Sequence, residues 1–158
     1  DVYQRHREPG ASWHWPEGDQ GDLEYVLTPP GDTRGPVALV LSLTAPVARD
    51  RITQVLGEDV ALWHVTAPEP SQDILKSREQ LSGYRAFMRG VIRQIEAVHG
   101  TDETLHVFPV MGVAFAVELG RVRQPKANQS WQLYDQADPK TGFAPVILIG
   151  REEDDATE

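Results

Sequence analysis

The stretch Leu105 to Arg123, LHVFPVMGVAFAVELGRVR, constrains the fold more than any other part of the chain. It opens with an apolar run, Leu105 to Phe108, and Pro109 lacks the N–H that a sheet ladder needs, so a strand is predicted to end there in a tight turn at Phe108-Pro109. Val110 to Val117 then carries almost no polar atom. A helix that is apolar on every side is a buried helix, so this segment is predicted to pack under a sheet with Ala114 and Ala116 inside. In open α/β sheets, ligands collect outside the carboxyl ends of strands, near helix N-termini. Phe108, Pro109, Val110 and Met111 are therefore a first candidate site.

A second run, Val37 to Leu43 (VALVLSL), is continuously apolar and rich in β-branched residues, as expected of a strand covered on both faces. It ends at Ser42-Leu43-Thr44-Ala45-Pro46, where Thr44 is a reasonable N-cap and Pro46 suits the first turn of a helix running to Leu56 and stopping at Gly57. Asp59–Thr66 reads as a strand. Leu75–His99 reads as a long helix with its apolar stripe on one side and Arg85, Arg89, Arg93 and Glu96 on the other, ended by Gly100. Leu23–Thr28, Trp131–Asp135 and Ala144–Ile149 read as further strands, and Gln124–Ser130 as a loop. Strands alternating with helices predict a Rossmann-like α/β domain with three layers and a mainly parallel central sheet.

The chain has 158 residues, enough for one domain with a sizeable core. It contains no cysteine, which fits a cytoplasmic protein, and no apolar run approaches the roughly 20 residues that span a bilayer. It opens at Asp1 without a methionine, which suggests a segment of a longer protein. Net charge is −9, of which the tail Arg151 to Glu158 contributes −4, leaving −5 for the rest. No basic face for long DNA or RNA is evident, whereas a small anion needs only a few N–H groups and one or two cations.

Residues 1–22 form an arm without a clean period, carrying Arg5, His6, Arg7, Trp13, His14 and Trp15. Two readings stay open: tryptophans that cover the core, or cations and aromatics gathered near an anionic, base-containing ligand. None of the five histidines forms H-x-x-x-H, and His64 and His106 fall in strands, where a hydrogen-bonded sheet histidine is the simpler reading. There is no G-x-S-x-G elbow, no phosphate loop and no G-x-G-x-x-G, and Ser42 has no sequence-local base. The chain reads as a binding module rather than an enzyme, with no cofactor.

At this point the residues carry a resemblance. HVFPVMGVAFAVELGRV, followed by QPK, WQLYD and GFAPVILI, is similar to the carboxyl-terminal half of SAVED domains, and RHREPGASWHWP and VALVLSLTAPV resemble the same family. The likeness runs from about Tyr3 to Ile149. It implies a sensor of cyclic oligonucleotide second messengers in bacterial anti-phage defence, built like fused CARF-type halves, joined to an effector and driven to self-associate by a cyclic di-, tri- or tetranucleotide. Residues 23–150 would be one CARF-like half, residues 1–22 an arm belonging to it, and residues 151–158 an acidic tail.

The resemblance and the residues point to the same surface. Ser42, Leu43, Thr44, Ala45 and Pro46, with Phe108, Pro109, Val110 and Met111, would face the ligand. Helix-start N–H groups and hydroxyls would take phosphates. Trp13, Trp15 or Phe108 would stack on a base, and Lys126 would meet a phosphate, although a solvated loop lysine or plain helix capping explains the polar members equally. Two competing functions remain: a ring nuclease using Ser42 or Thr44 with Lys126, for which no positioned base is apparent, and a protein-interaction domain without ligand.

Overall fold

The computed structural model describes residues 2, 5–7, 12–138 and 140–151. The acidic tail beyond Arg151 and several arm residues lie outside the described residues. The elements are β1 (Val26–Thr28), β2 (Val37–Ser42), α1 (Arg49–Leu56), β3 (Ala61–Thr66), α2 (Arg78–His99), β4 (Leu105–Val110), α3 (Val113–Val122), β5 (Trp131–Asp138) and β6 (Gly142–Ile149). They form one six-stranded sheet in the order β1-β3-β2-β4-β5-β6. The three inner pairings are parallel, while β1 on β3 and β6 on β5 are antiparallel. The sheet is therefore mixed, with antiparallel strands at both edges.

Strand β2 is at its centre, and all six of its residues are buried. Its odd-numbered residues, Val37, Leu39 and Leu41, join the larger core with Leu81, Tyr84, Met88, Phe115 and Leu119 of α2 and α3. Its even-numbered residues, Ala38 and Val40, join a smaller core with Ile52 of α1, Phe108, Tyr134 and Phe143. Alternation along one strand thus feeds two cores, as an apolar run covered on both faces requires. Gly35 leads into β2 at φ 80°, and a Cβ there would lie 2.1 Å from the Asp59 carbonyl oxygen, so only glycine lets the chain enter beside β3.

Helix α2 starts where Ser77 accepts from the Gln80 N–H while the Gln80 side chain accepts from the Lys76 N–H. It ends at Gly100, whose φ of 77° closes the helix with an N–H bond to Glu96 O.

Two expectations for the Leu105–Arg123 stretch are corrected. Pro109 does not end the strand: β4 runs on to Val110, with Pro109 opposite Leu41. The Val110 carbonyl points toward β2, accepting from Leu43 and Thr44, so the nitrogen of Pro109 points the other way. There the ladder with β5 has already ended at Val107, and no N–H is needed.

Helix α3 is also not buried all round. Ala114, Phe115, Glu118, Leu119 and Val122 face inward, but Val113, Ala116, Val117 and Gly120 are exposed. Consequently Ala114→Leu, at a position 0% exposed, should overpack the core by about 1–3 kcal/mol. Ala116→Leu should leave stability within about 0.5 kcal/mol. Paired denaturant melts check this; equal losses at the two positions would contradict the placement of α3.

Candidate functional site

The parallel strands β2, β3 and β4 bring their carboxyl ends to one side of the sheet, and two crossover turns meet there. The Leu43 and Thr44 N–H groups both donate to the Val110 carbonyl, at 2.9 and 3.1 Å. The turn after β2 is thereby stitched to the turn after β4. These two N–H groups are therefore satisfied internally, contrary to the expectation that the turn offers them to a ligand. Helix α1 also starts later than expected: its N-cap is Ala48, without a side-chain cap bond, so Thr44 does not cap it and Pro46 is not in its first turn.

What remains accessible is narrower than the sequence suggested. Thr44 is half-buried, Ala45 and Pro46 are exposed, and Pro109, Val110, Met111 and Gly112 are half-buried. Gly112 is the N-cap of α3 and supplies no side-chain cap bond. The first N–H groups of α3 therefore open onto this turn without an intrahelical partner. Met111 is held from below by the Tyr84 hydroxyl, which donates to its sulfur at 3.5 Å.

Leu43 and Phe108 are fully buried. The Phe108 ring stacks on Tyr134 at 4.3 Å and 12° and meets Phe143 edge-on at 5.2 Å, so its faces are taken by protein rather than open to a base. Ser42 is 1% exposed, and its hydroxyl shares a 2.7 Å hydrogen bond with His64 Nε2. That base was not visible in the sequence, because β2 and β3 must pair in register before the two side chains meet. Burial lowers the His64 pKa, disfavouring the charged imidazole. His106 is similar: Nδ1 is 2.9 Å from the Tyr134 hydroxyl, and burial lowers its pKa. Both behave as hydrogen-bonded sheet histidines.

The arm docks at the same end of the sheet. The Arg7 N–H donates to Asp73 Oδ1 at 2.9 Å, and His6 is buried with its ring 5.6 Å from that of Trp15. Trp15 packs against the larger core, whereas Trp13 is 61% exposed and free to stack. Lys126 is not brought to the site. Helix α3 carries the chain from the carboxyl end of β4 back to the amino end of β5, and Lys126 lies in that return loop, where its carbonyl accepts from Arg151. Among the described residues no His, Asp and Glu side chains gather closely enough to hold a metal ion, and no helix is long and apolar enough to cross a membrane.

The fold is an α/β domain with a mixed six-stranded sheet, and comparison with known proteins gives it a family. Residues 1–149 match the SMODS-associated and fused to various effectors sensor domain, SAVED, and the chain belongs to that family. It shares its fold with the SAVED/CARF-domain containing receptor Cap4 of Acinetobacter baumannii. Against that receptor with the cyclic trinucleotide 2′3′3′-cAAA, the TM-score is 0.64 at 14% identity, covering 86% of this chain and 28% of the receptor. Against the receptor with 3′3′3′-cAAA, the TM-score is 0.61 at 13% identity, covering 85% and 29%. The chain thus spans less than a third of the receptors it resembles. No curated protein matches it in sequence.

Proposed function

We propose that this chain is the ligand-sensing half of a SAVED receptor that binds a cyclic oligonucleotide in bacterial anti-phage signalling. The observation that carries the reading is the pair of stitched turns at the carboxyl ends of β2 and β4, next to the uncapped start of α3. Unpartnered helix-start N–H groups suit a phosphate without any cation. The Thr44 hydroxyl and the exposed Ala45 and Pro46 form the neighbouring wall, Met111 and Gly112 the floor, and Trp13 is the aromatic able to stack on a base. Residues 23–150 make up this CARF-like half and residues 1–22 its arm. In the cytoplasm, ligand binding promotes association of copies and activates a fused effector.

The ring-nuclease alternative is not favoured. Of its candidate hydroxyls, Ser42 is buried and held by His64 while Thr44 is half-buried, and Lys126 lies at the other end of the sheet from both. A thermal-shift panel of cyclic di-, tri- and tetranucleotides tests the reading. A ring present at 100 times its dissociation constant adds about 2.7 kcal/mol of stability. For a domain of this size that corresponds to a rise of roughly 5–10 °C. A panel without any shift would refute it, and linear products in the same tubes would revive the nuclease.

A further inference from the structure

Helices α2 and α3 lie against each other on one face of the sheet, and an ion pair sets their relative level. Glu118 of α3, 1% exposed, accepts from Arg85 of α2 at 2.9 Å and from Arg121 of its own helix at 2.7 Å. One residue before Arg85, the Tyr84 hydroxyl reaches Met111 in the turn that leads into α3. Each helix returns from the carboxyl end of a parallel strand, α2 from β3 and α3 from β4, so the two run in the same direction.

That register fixes where Arg78 stands. Arg78 precedes Arg85 by seven residues, which at 3.6 residues per turn returns it to within about 20° of the same side of the helix. Arg85 points at α3, so Arg78 does too, and both line one groove with Ser82, Glu118 and Arg121. Seven residues are about 10 Å of helix, whereas Val113 precedes Glu118 by five residues, or about 7.5 Å. Arg78 therefore stands level with the start of α3 or just beyond it, on the side of the Met111-Gly112 turn. Val2 of the arm lines the same groove, so Arg78 lies between the arm and the N–H groups that open α3.

Arg78 also breaks a local rule. It is the first residue of α2, at the positive end of the helix dipole, where a carboxylate is favoured and a guanidinium is not. Its side chain is exposed rather than packed in the core. Residues that act against their own helix in this way collect at functional positions. The other two arginines of the groove are held lower down by Glu118.

We propose that Arg78 is the cation of the ligand site and binds a second phosphate of the ring whose first phosphate lies at the start of α3. The planar guanidinium takes two phosphate oxygens at once, which fixes orientation as well as charge. The inference deepens the sensor reading and rests on it.

Isothermal titration of the full chain and three variants tests this, with cyclic triadenylate and with cyclic di- and tetra-adenylate in parallel. Arg78→Gln should bind the ring that the parent binds about tenfold more weakly or worse, as expected for a lost hydrogen bond between charged groups. Its melting temperature should equal the parent's or exceed it, because the helix start loses a misplaced cation. Arg78→Lys, which keeps the charge and loses the fork, should recover part of the affinity. Arg89→Gln removes the same charge 11 residues farther along α2, about 16 Å away. That exceeds the Debye length of about 8 Å at physiological salt, so this variant should bind within about twofold of the parent. A parent that binds a ring while Arg78→Gln binds it equally well overturns the Arg78 assignment and leaves the sensor reading standing. Equal losses for Arg78→Gln and Arg89→Gln overturn it too, because they would reflect overall charge. A folded parent that binds no ring removes the sensor reading and this inference with it.

Discussion

Replacing Phe108 by alanine is expected to destabilise the chain by about 3–5 kcal/mol, among the largest effects available to a single substitution here. The ring is 0% exposed, stacked on Tyr134 and edge-on to Phe143. It belongs to the smaller core with Ala38, Val40, Val47, Ile52 and Val60, whose small or branched side chains offer little reach to refill the space. The void would sit between the sheet and a short α1, and a cavity that does not collapse carries the full penalty. Urea melts should show a lower midpoint at an unchanged slope. A loss below about 1 kcal/mol would mean that the ring is not the centre of this core and that Phe108 is again available to a ligand.

That prediction marks where sequence reading stopped. The apolar run at Val37 to Leu43, the amphipathic period of α2 and the glycines at 57 and 100 carry their structure locally: the strand formed and both helices end where expected, although α1 and α2 begin later. Apolar composition around Phe108 was equally clear, but composition cannot say which side of a strand end faces protein. Pro109 depended on where β5 parts from β4, a relation between strands far apart in the chain. Val113 and Val117 read as buried because they are apolar, yet their outward face is covered by nothing among the described residues. The Ser42–His64 pair needed the β2–β3 register, in which Val40 lies opposite His64 and Ser42 is its diagonal neighbour. Lys126 is a loop cation whose place depends on the direction of α3, which carries it to the amino end of β5.

The second large effect concerns ligand binding. Ala45 is exposed in the turn after β2, between Thr44 and Pro46, and it makes no core contact. Ala45→Asp should therefore change stability by no more than about 0.5 kcal/mol. It would, however, set a carboxylate where we place a phosphate. Two like charges about 4 Å apart near a protein surface repel by roughly 4 kcal/mol before screening. Salt reduces that figure, and a loss of at least tenfold in affinity should survive at 0.15 M ionic strength. Ala45→Ser, which is small and neutral, should bind within about threefold of the parent. If aspartate and serine behave alike, the phosphate does not lie against this turn.

The central claim is that this chain binds a cyclic oligonucleotide at the stitched turns. Isothermal titration of the full chain with cyclic triadenylate, and with di- and tetranucleotide rings in parallel, measures it most directly. The account predicts saturable binding of at least one ring to the parent chain and at least tenfold weaker binding of that ring to Ala45→Asp. The absence of saturable binding by any ring to a folded parent would contradict it.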